Sequence, residues 1–342
     1  MLFFICIFRK KCDILKKYIK NKGDFIVEGF DIILHNILLL AAAMAVGFTA
    51  VKTGYVSVEV KNALSKIIVR ITLPLLILNA LTGIELTAGR LKNAGLVLLI
   101  ALVSIGVLYC IGIFTSRLFR LPKATAVIHR CMMGFGNVAF LGYPLIRALF
   151  GDEGFFYAAV YQFVNDVFVW TFVVCQLNAL GKNEKITVRE TVKNIINPCT
   201  VSFFISFVMM LFGVKFTGFA HEITNGIGGM TTYLSMLFIG GTLAEVKLSE
   251  IKRIGSIFLI ILIKMLIMPT ILIIVTKYLP LSEAARGAAI LQVAVPSQTI
   301  ISVLTLEYGG DTVYTSEGIL ITTLAGLATM PIVYWLMSIV LI

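Results

Sequence analysis

Apolar runs of about 20 residues recur from residue 32 to the end of the chain, parted by short polar turns. At 1.5 Å of rise per residue, a helix of that length crosses a hydrocarbon layer of ~30 Å. Lipid offers no hydrogen-bond partner to an open backbone group, so each run must satisfy its own backbone as a helix. The 3.6-residue alternation of a half-buried soluble helix is missing. Composition agrees: of 342 residues, 59% are hydrophobic and 14% charged, whereas a soluble domain is nearer half apolar and a quarter charged. The chain reads as an all-α polytopic membrane protein.

Ten spans are expected: Ile32–Val51, Ala63–Leu81, Ala94–Thr115, Ala124–Phe150, Phe155–Leu177, Cys199–Val214, Ile223–Ala244, Ser256–Lys277, Ala284–Leu306 and Val313–Leu341. The long polar interval Gly181–Asn197, "GKNEKITVRETVKNIIN", divides them into two sets of five. Its interspersed Ile and Val residues suit a segment lying on the membrane surface. The expected organisation is a basic N-terminal extension over 1–29, a first five-helix repeat over 30–180, a cytoplasmic linker over 181–197, and a second, inverted repeat over 198–342. The extension has a short apolar start followed by seven basic residues, the reverse of a secretory signal. No function is assigned to it.

The net charge of +11 does not form one patch, so it points to membrane topology rather than to nucleic acid. Odd-numbered loops hold thirteen Lys and Arg residues and even-numbered loops six. By the positive-inside rule the odd loops are cytoplasmic and both termini outside, in a multi-pass protein of the plasma membrane. The six cysteines are scattered without CxxC spacing and the three histidines are far apart, so neither a disulfide framework nor a metal site is expected. No cofactor is expected either. Loops for ATP and the motifs of intramembrane hydrolases are missing; the chain reads as no enzyme.

Two spans are interrupted. Span 4 carries "GFGNVAFLGYP", in which Gly134, Gly136 and Gly142 weaken a helix and Asn137 suits an N-cap. Span 9 carries "LQVAVPSQTII", in which Pro296 removes a backbone donor and suits the first turn of a new half-helix. Each is followed by a similar connection, "ALFGDEGFFYAAVY" and "LEYGGDTVYTSEGI". Five spans per half give the two halves opposite orientations, and paired interruptions in inverted halves mark a secondary transporter with its site at the breaks. Half-helix N-termini would then meet near mid-membrane, each with about half a positive charge and free N–H groups for a carboxylate. Pro74, Pro269 and Pro331 are read as kinks.

The motifs "GFGNVAFLGYPLIRALFG", "AVPSQTIISVLTLEYGGD" and "ITLPLLIL" resemble the fourth, ninth and second helices of the auxin efflux carrier family. "GFTAVKTGYVSVEVKNALSKIIVRITLP" matches that family's opening pattern, and the resemblance runs from about residue 30 to the end. It implies ten transmembrane helices in two inverted five-helix repeats, with broken helices 4 and 9 crossed inside a transport domain that moves against a scaffold. It also implies a homodimer through the scaffold domains. Members include plant PIN auxin exporters and bacterial carriers described as malate or malonate permeases. Where plant relatives have a proline at the first crossing, this chain has Gly136 beside Asn137, and the long plant loop shrinks to Gly181–Asn197.

The expected substrate-binding residues are Asn137, Gly136, Pro296, Ser297, Gln298, Asn79 and Gln162. Asn137 suits both substrate contact and helix capping. Ser297 and Gln298 either bind substrate or satisfy backbone groups freed by the break, and Gln292 is a weaker candidate. Asp166, with Asn165 beside it, is an intramembrane acid suited to coupling a proton or sodium ion, or to pairing with Arg130 or Lys264. The expected activity is secondary transport of a small organic anion, such as a dicarboxylate or auxin-like acid, by alternating access within the lipid bilayer. The alternatives are a sodium-coupled bile-acid-type symporter and a membrane sensor that does not transport.

Overall fold

The structure is a computed structural model that describes residues 35–180, 192–193, 195–245 and 253–341. The N-terminal extension and most of the expected surface segment lie outside the described residues. Eleven helices shape the fold over the described residues. They are α1 His35–Lys52, α2 Val58–Thr82, α3 Ala88–Leu118, α4 Lys123–Gly134, α5 Val138–Asn178 and α6 Pro198–Leu211. There follow α7 Gly218–Ala244, α8 Ile254–Lys277, α9 Glu283–Ala294, α10 Ile300–Tyr308 and α11 Thr312–Leu341. Among the described residues, seven of these (α1, α2, α3, α5, α7, α8 and α11) are long and apolar enough to cross a membrane.

Local sequence explains where the helices start. Ser57, Thr87, Asn197 and Ser282 each accept a hydrogen bond from a backbone N–H in the first turn of α2, α3, α6 and α9. Such caps replace partners that the first-turn amides lack within the helix. Gly309, at φ +82°, ends α10 in the left-handed conformation that glycine adopts without strain. In α5 the break falls at Gly151, whose φ of +61° and ψ of −157° are closed to residues with a side chain. This glycine turns the 41-residue helix into two arms.

Two of the prolines expected as kinks, Pro74 and Pro269, share one device. A π-helical turn over Ile68–Thr72 precedes Pro74, and another over Ile261–Ile267 precedes Pro269. Pro144 follows a third at Val138–Gly142. Proline cannot donate to the carbonyl four residues back and its ring crowds it; the wider turn relieves that clash. Pro331 sits within α11.

Helix α2 packs on α6 and α7, while α3 packs on α4, α5 and α9. Helix α9 also packs on α5, and α8 on α9 and α11. Small residues allow the closest approaches. A Cβ at Gly240 would strike the Met44 carbonyl, and one at Gly47 the Leu237 backbone, so α1 and α7 touch backbone to backbone.

Expected spans 4 and 9 are not continuous helices. Helix α4 has 12 residues, α9 has 12 and α10 has 9, each well short of the ~20 needed to cross. Residues 135–137 separate α4 from α5, and residues 295–299 separate α9 from α10.

Candidate functional site

The two breaks meet. Gly136 and Ser297 form an isolated antiparallel bridge. The Asn137 N–H donates to the Pro296 carbonyl at 2.8 Å, and the Gln298 N–H donates to the Phe135 carbonyl at 3.3 Å. An unpaired backbone group in hydrocarbon is strongly unfavourable, so each break supplies partners that the other needs. Gly136 permits the approach: a Cβ there would stand 2.5 Å from Val295 Cγ2.

Two further side chains seal the crossing. Lys264, fully buried on α8, donates through Nζ to the Phe135 carbonyl at 2.6 Å and to the Met132 carbonyl at 3.1 Å. These oxygens belong to the C-terminal end of α4, where a cation complements the helix dipole. Ser297 Oγ donates to the same Met132 carbonyl at 3.1 Å, and the Ser297 N–H donates to Thr322 Oγ1 at 3.3 Å. Ser297 thus satisfies backbone groups at the break. The sequence signal for Lys264 was a lone lysine inside an apolar span, but its partners were invisible there.

Beside the crossing is a cavity of about 120 Å³. The breaks and the first turns that follow them line it, through Asn137, Ala139 and Phe140 on the α5 side and Gln298, Thr299 and Ile300 on the α10 side. First-turn amides have no intrahelical acceptor, so two helix N-termini face one space. The cavity is also lined by α2, by Gln162, Asp166 and Trp170 of α5, and by Asn197 and Cys199 at the start of α6.

The expected site residues divide on this geometry. Asn137, Gln162, Asp166 and Gln298 line the cavity. Gly136, Pro296 and Ser297 build the crossing beneath it. Asn165 is buried behind it and donates from Nδ2 to Gln298 Oε1 at 3.3 Å. Asn79 is engaged elsewhere: it donates to Asn225 Oδ1 at 3.2 Å and accepts from Thr224 Oγ1 at 3.1 Å, joining α2 to α7. Gln292 is buried next to Gly142, and its Nε2 reaches the Ala158 carbonyl at 3.5 Å.

Three local expectations are corrected. Asn137 stands at the N-cap position of the α5 π-turn but makes no side-chain capping bond; its backbone N–H is already directed at Pro296, and its amide is left to the cavity. Pro296 does not open a half-helix, which begins at Ile300. It lies in an extended stretch, with Val295 before it at φ −61°, ψ 150°, as sterics before proline favour. Asp166 pairs with neither Arg130 nor Lys264. It accepts from Gln162 Nε2 at 2.6 Å, while Arg130 Nε donates to Ser116 Oγ at 3.1 Å and Lys264 serves the α4 carbonyls.

Among the described residues no group of three His, Cys, Asp or Glu side chains could hold a metal ion. The family model described as membrane transport protein matches residues 32–334. An uncharacterized transporter of Methanothermobacter thermautotrophicus is 22% identical over 304 residues, covering 86% of this chain and 95% of that protein.

Proposed function

The chain belongs to the membrane transport protein family, that of the auxin efflux carriers, and from that premise we propose a secondary transporter of small organic anions that works by alternating access. The observation that carries the proposal is one cavity lined by the N-terminal turns of both broken helices. Helix N-termini draw carboxylates without a buried lysine in contact, and the Asn137 amide adds a neutral donor beside them. Dicarboxylates and auxin-like acids are the substrates to try first.

In this reading α4 with the first arm of α5, and α9 with α10, are the two broken members of a ten-helix inverted repeat over 30–180 and 198–342. Helices α1, α2, α6 and α7 form the scaffold, and the crossing moves against it with α3, α8 and α11. The cavity wall contributed by α2 and α6 supports this division, because a site between two bodies changes exposure when one slides on the other. The protein works as a homodimer in the plasma membrane with both termini outside, and a proton or sodium ion at Asp166 and Asn165 drives the carrier.

The test is flux of radiolabelled malate, malonate and indole-3-acetate in proteoliposomes. Wild-type protein is expected to move at least one of them, and Asn137→Ala and Pro296→Ala to lose most of that flux. Full flux in both variants would remove the crossing from the mechanism. Saturable binding without flux would make the protein a sensor instead.

A further inference from the structure

Two groups lining the cavity, Gln162 and Asp166, are left unexplained by an anion alone. Gln162 is 8% exposed and lines the cavity. Its Nε2 is committed to Asp166, 2.6 Å away, which turns the other amide atom, Oε1, away from the carboxylate. That oxygen is buried and, among the described residues, has no hydrogen-bond partner. A structural Gln162–Asp166 pair accounts for the nitrogen but not for the orphaned oxygen, and a buried acceptor without a donor is unfavourable.

Asp166 deepens the imbalance. An ionised carboxylate offers about four acceptor sites, and among the described residues Asp166 receives one hydrogen bond, from Gln162. No described Lys or Arg lies within ion-pair distance of it, and no described residue lining the cavity is basic. Phe140, Tyr143 and Trp170 complete the wall, and aromatic faces attract cations. The cavity lining therefore combines donors, in the Asn137 amide and the first turns after the breaks, with the acceptors Gln162 Oε1 and the Asp166 carboxylate.

We propose that Gln162 Oε1 and the Asp166 carboxylate form a subsite for a monovalent cationic group, bound in the same cavity as the substrate carboxylate. Asn165 is a positioning residue: its Nδ2 holds Gln298 Oε1 at 3.3 Å. The positive charge has two sources with the same chemistry, an ammonium group on the transported molecule itself or a sodium ion bound beside an anion. The proposal rests on the carrier reading in taking this cavity as the substrate site.

The experiment measures binding to the purified full-length protein in nanodiscs, using acids that share a skeleton and differ in the amine: aspartate with succinate, and phenylalanine with 3-phenylpropanoate. Each is run in sodium chloride and in choline chloride. A preference of tenfold or more for an amine-bearing member, in either salt, identifies the ammonium source. Binding of an amine-free acid that tightens tenfold or more in sodium identifies the free ion. In either case Asp166→Asn and Gln162→Leu remove the preference, Gln162→Glu keeps it, and each variant stays monodisperse. The proposal is overturned if neither preference is found, if the preference survives Asp166→Asn, or if affinity follows pH alone. Should no organic acid bind in any arm, the carrier reading of this cavity fails, and retention of ²²Na⁺ decides the subsite separately: retention lost in Asp166→Asn upholds it, and no retention ends it.

Discussion

The backbone N–H of Asn137 donates to the carbonyl of Pro296 at 2.8 Å, across 159 residues of chain. With the Gln298 N–H to Phe135 bond beside it, this makes each break the hydrogen-bonding partner of the other. Neither interruption is satisfied alone in a lipid environment, so the crossing is one cooperative unit rather than two kinks.

That unit leaves no room at Gly136. Gly136→Ala places a Cβ 2.5 Å from Val295 Cγ2, and Val295 is fully buried. The expected loss is about 1–3 kcal/mol, typical of overpacking, read as a lower melting temperature in detergent. Adding Val295→Ala should recover part of it, because the two side chains then share one space. Simple additivity would place the strain elsewhere.

Lys264 should matter to folding more than to substrate. Lys264→Met removes both charged bonds to the α4 end, but Met132 and Phe135 keep donors in Ser297 Oγ and the Gln298 N–H. A loss of about 2 kcal/mol is expected, in the range for hydrogen bonds to charged groups. In the Lys264→Met/Ser297→Ala double variant the Met132 carbonyl loses both side-chain donors, and the loss should exceed the sum of the singles. Chemical denaturation of the three variants measures this.

Asn137 and Asn197 give an internal contrast. Asn197 caps α6 by accepting from the Thr200 N–H at 3.0 Å, and its replacement by Ala should cost about 1 kcal/mol. Asn137 makes no such bond, so Asn137→Ala should shift stability by less than about 0.5 kcal/mol. Its substrate affinity should still fall about tenfold, or ~1.4 kcal/mol. Equal destabilisation by both variants would return Asn137 to a capping role.

Four helices share one buried polar chain. His129 of α4 meets Thr115 Oγ1 of α3 and the Tyr314 hydroxyl of α11, each at 2.8 Å, and that hydroxyl lies 3.0 Å from Ser256 Oγ of α8. Tyr314→Phe deletes the shared atom and leaves His129 Nδ1 without its partner, while Ser256 Oγ keeps its bond to the Arg253 carbonyl; a loss of about 1–3 kcal/mol is expected. Thermal unfolding checks it; a neutral result would mean water takes the hydroxyl's place.

The α1–α7 contact tests close packing directly. Gly240→Ala drives a Cβ into the Met44 backbone, which cannot rotate aside, so a clear drop in melting temperature is expected. Gly226→Ala on the same helix meets nothing within 4 Å and should be neutral or slightly stabilising, as alanine is the better helix former.

Much of the fold was legible because hydrophobic length and helix breaking are local properties. Runs of apolar residues located the long helices. The glycines around Asn137 and the proline at 296 located both breaks to within a few residues, since a helix fails where its own amides and carbonyls cannot pair four residues apart. The roles of individual side chains at the breaks were less legible. Asn137 looked like a cap from its residue type, yet its backbone was already claimed from the other half of the chain. Pro296 looked like a helix start, yet its carbonyl was needed as an acceptor in an extended stretch.

By itself the sequence determined a membrane-embedded helical chain with two weak points, because those follow from what each segment can bury and bond within itself. Only the tertiary structure decided that the weak points pair, that Lys264 closes one of them, and that Asp166 turns to Gln162 rather than to a cation. Through their side chains, Ser297 and Gln298 reach partners 165 and 133 residues away. Such choices depend on which groups the packed helices bring within about 3 Å, a distance that no local pattern records.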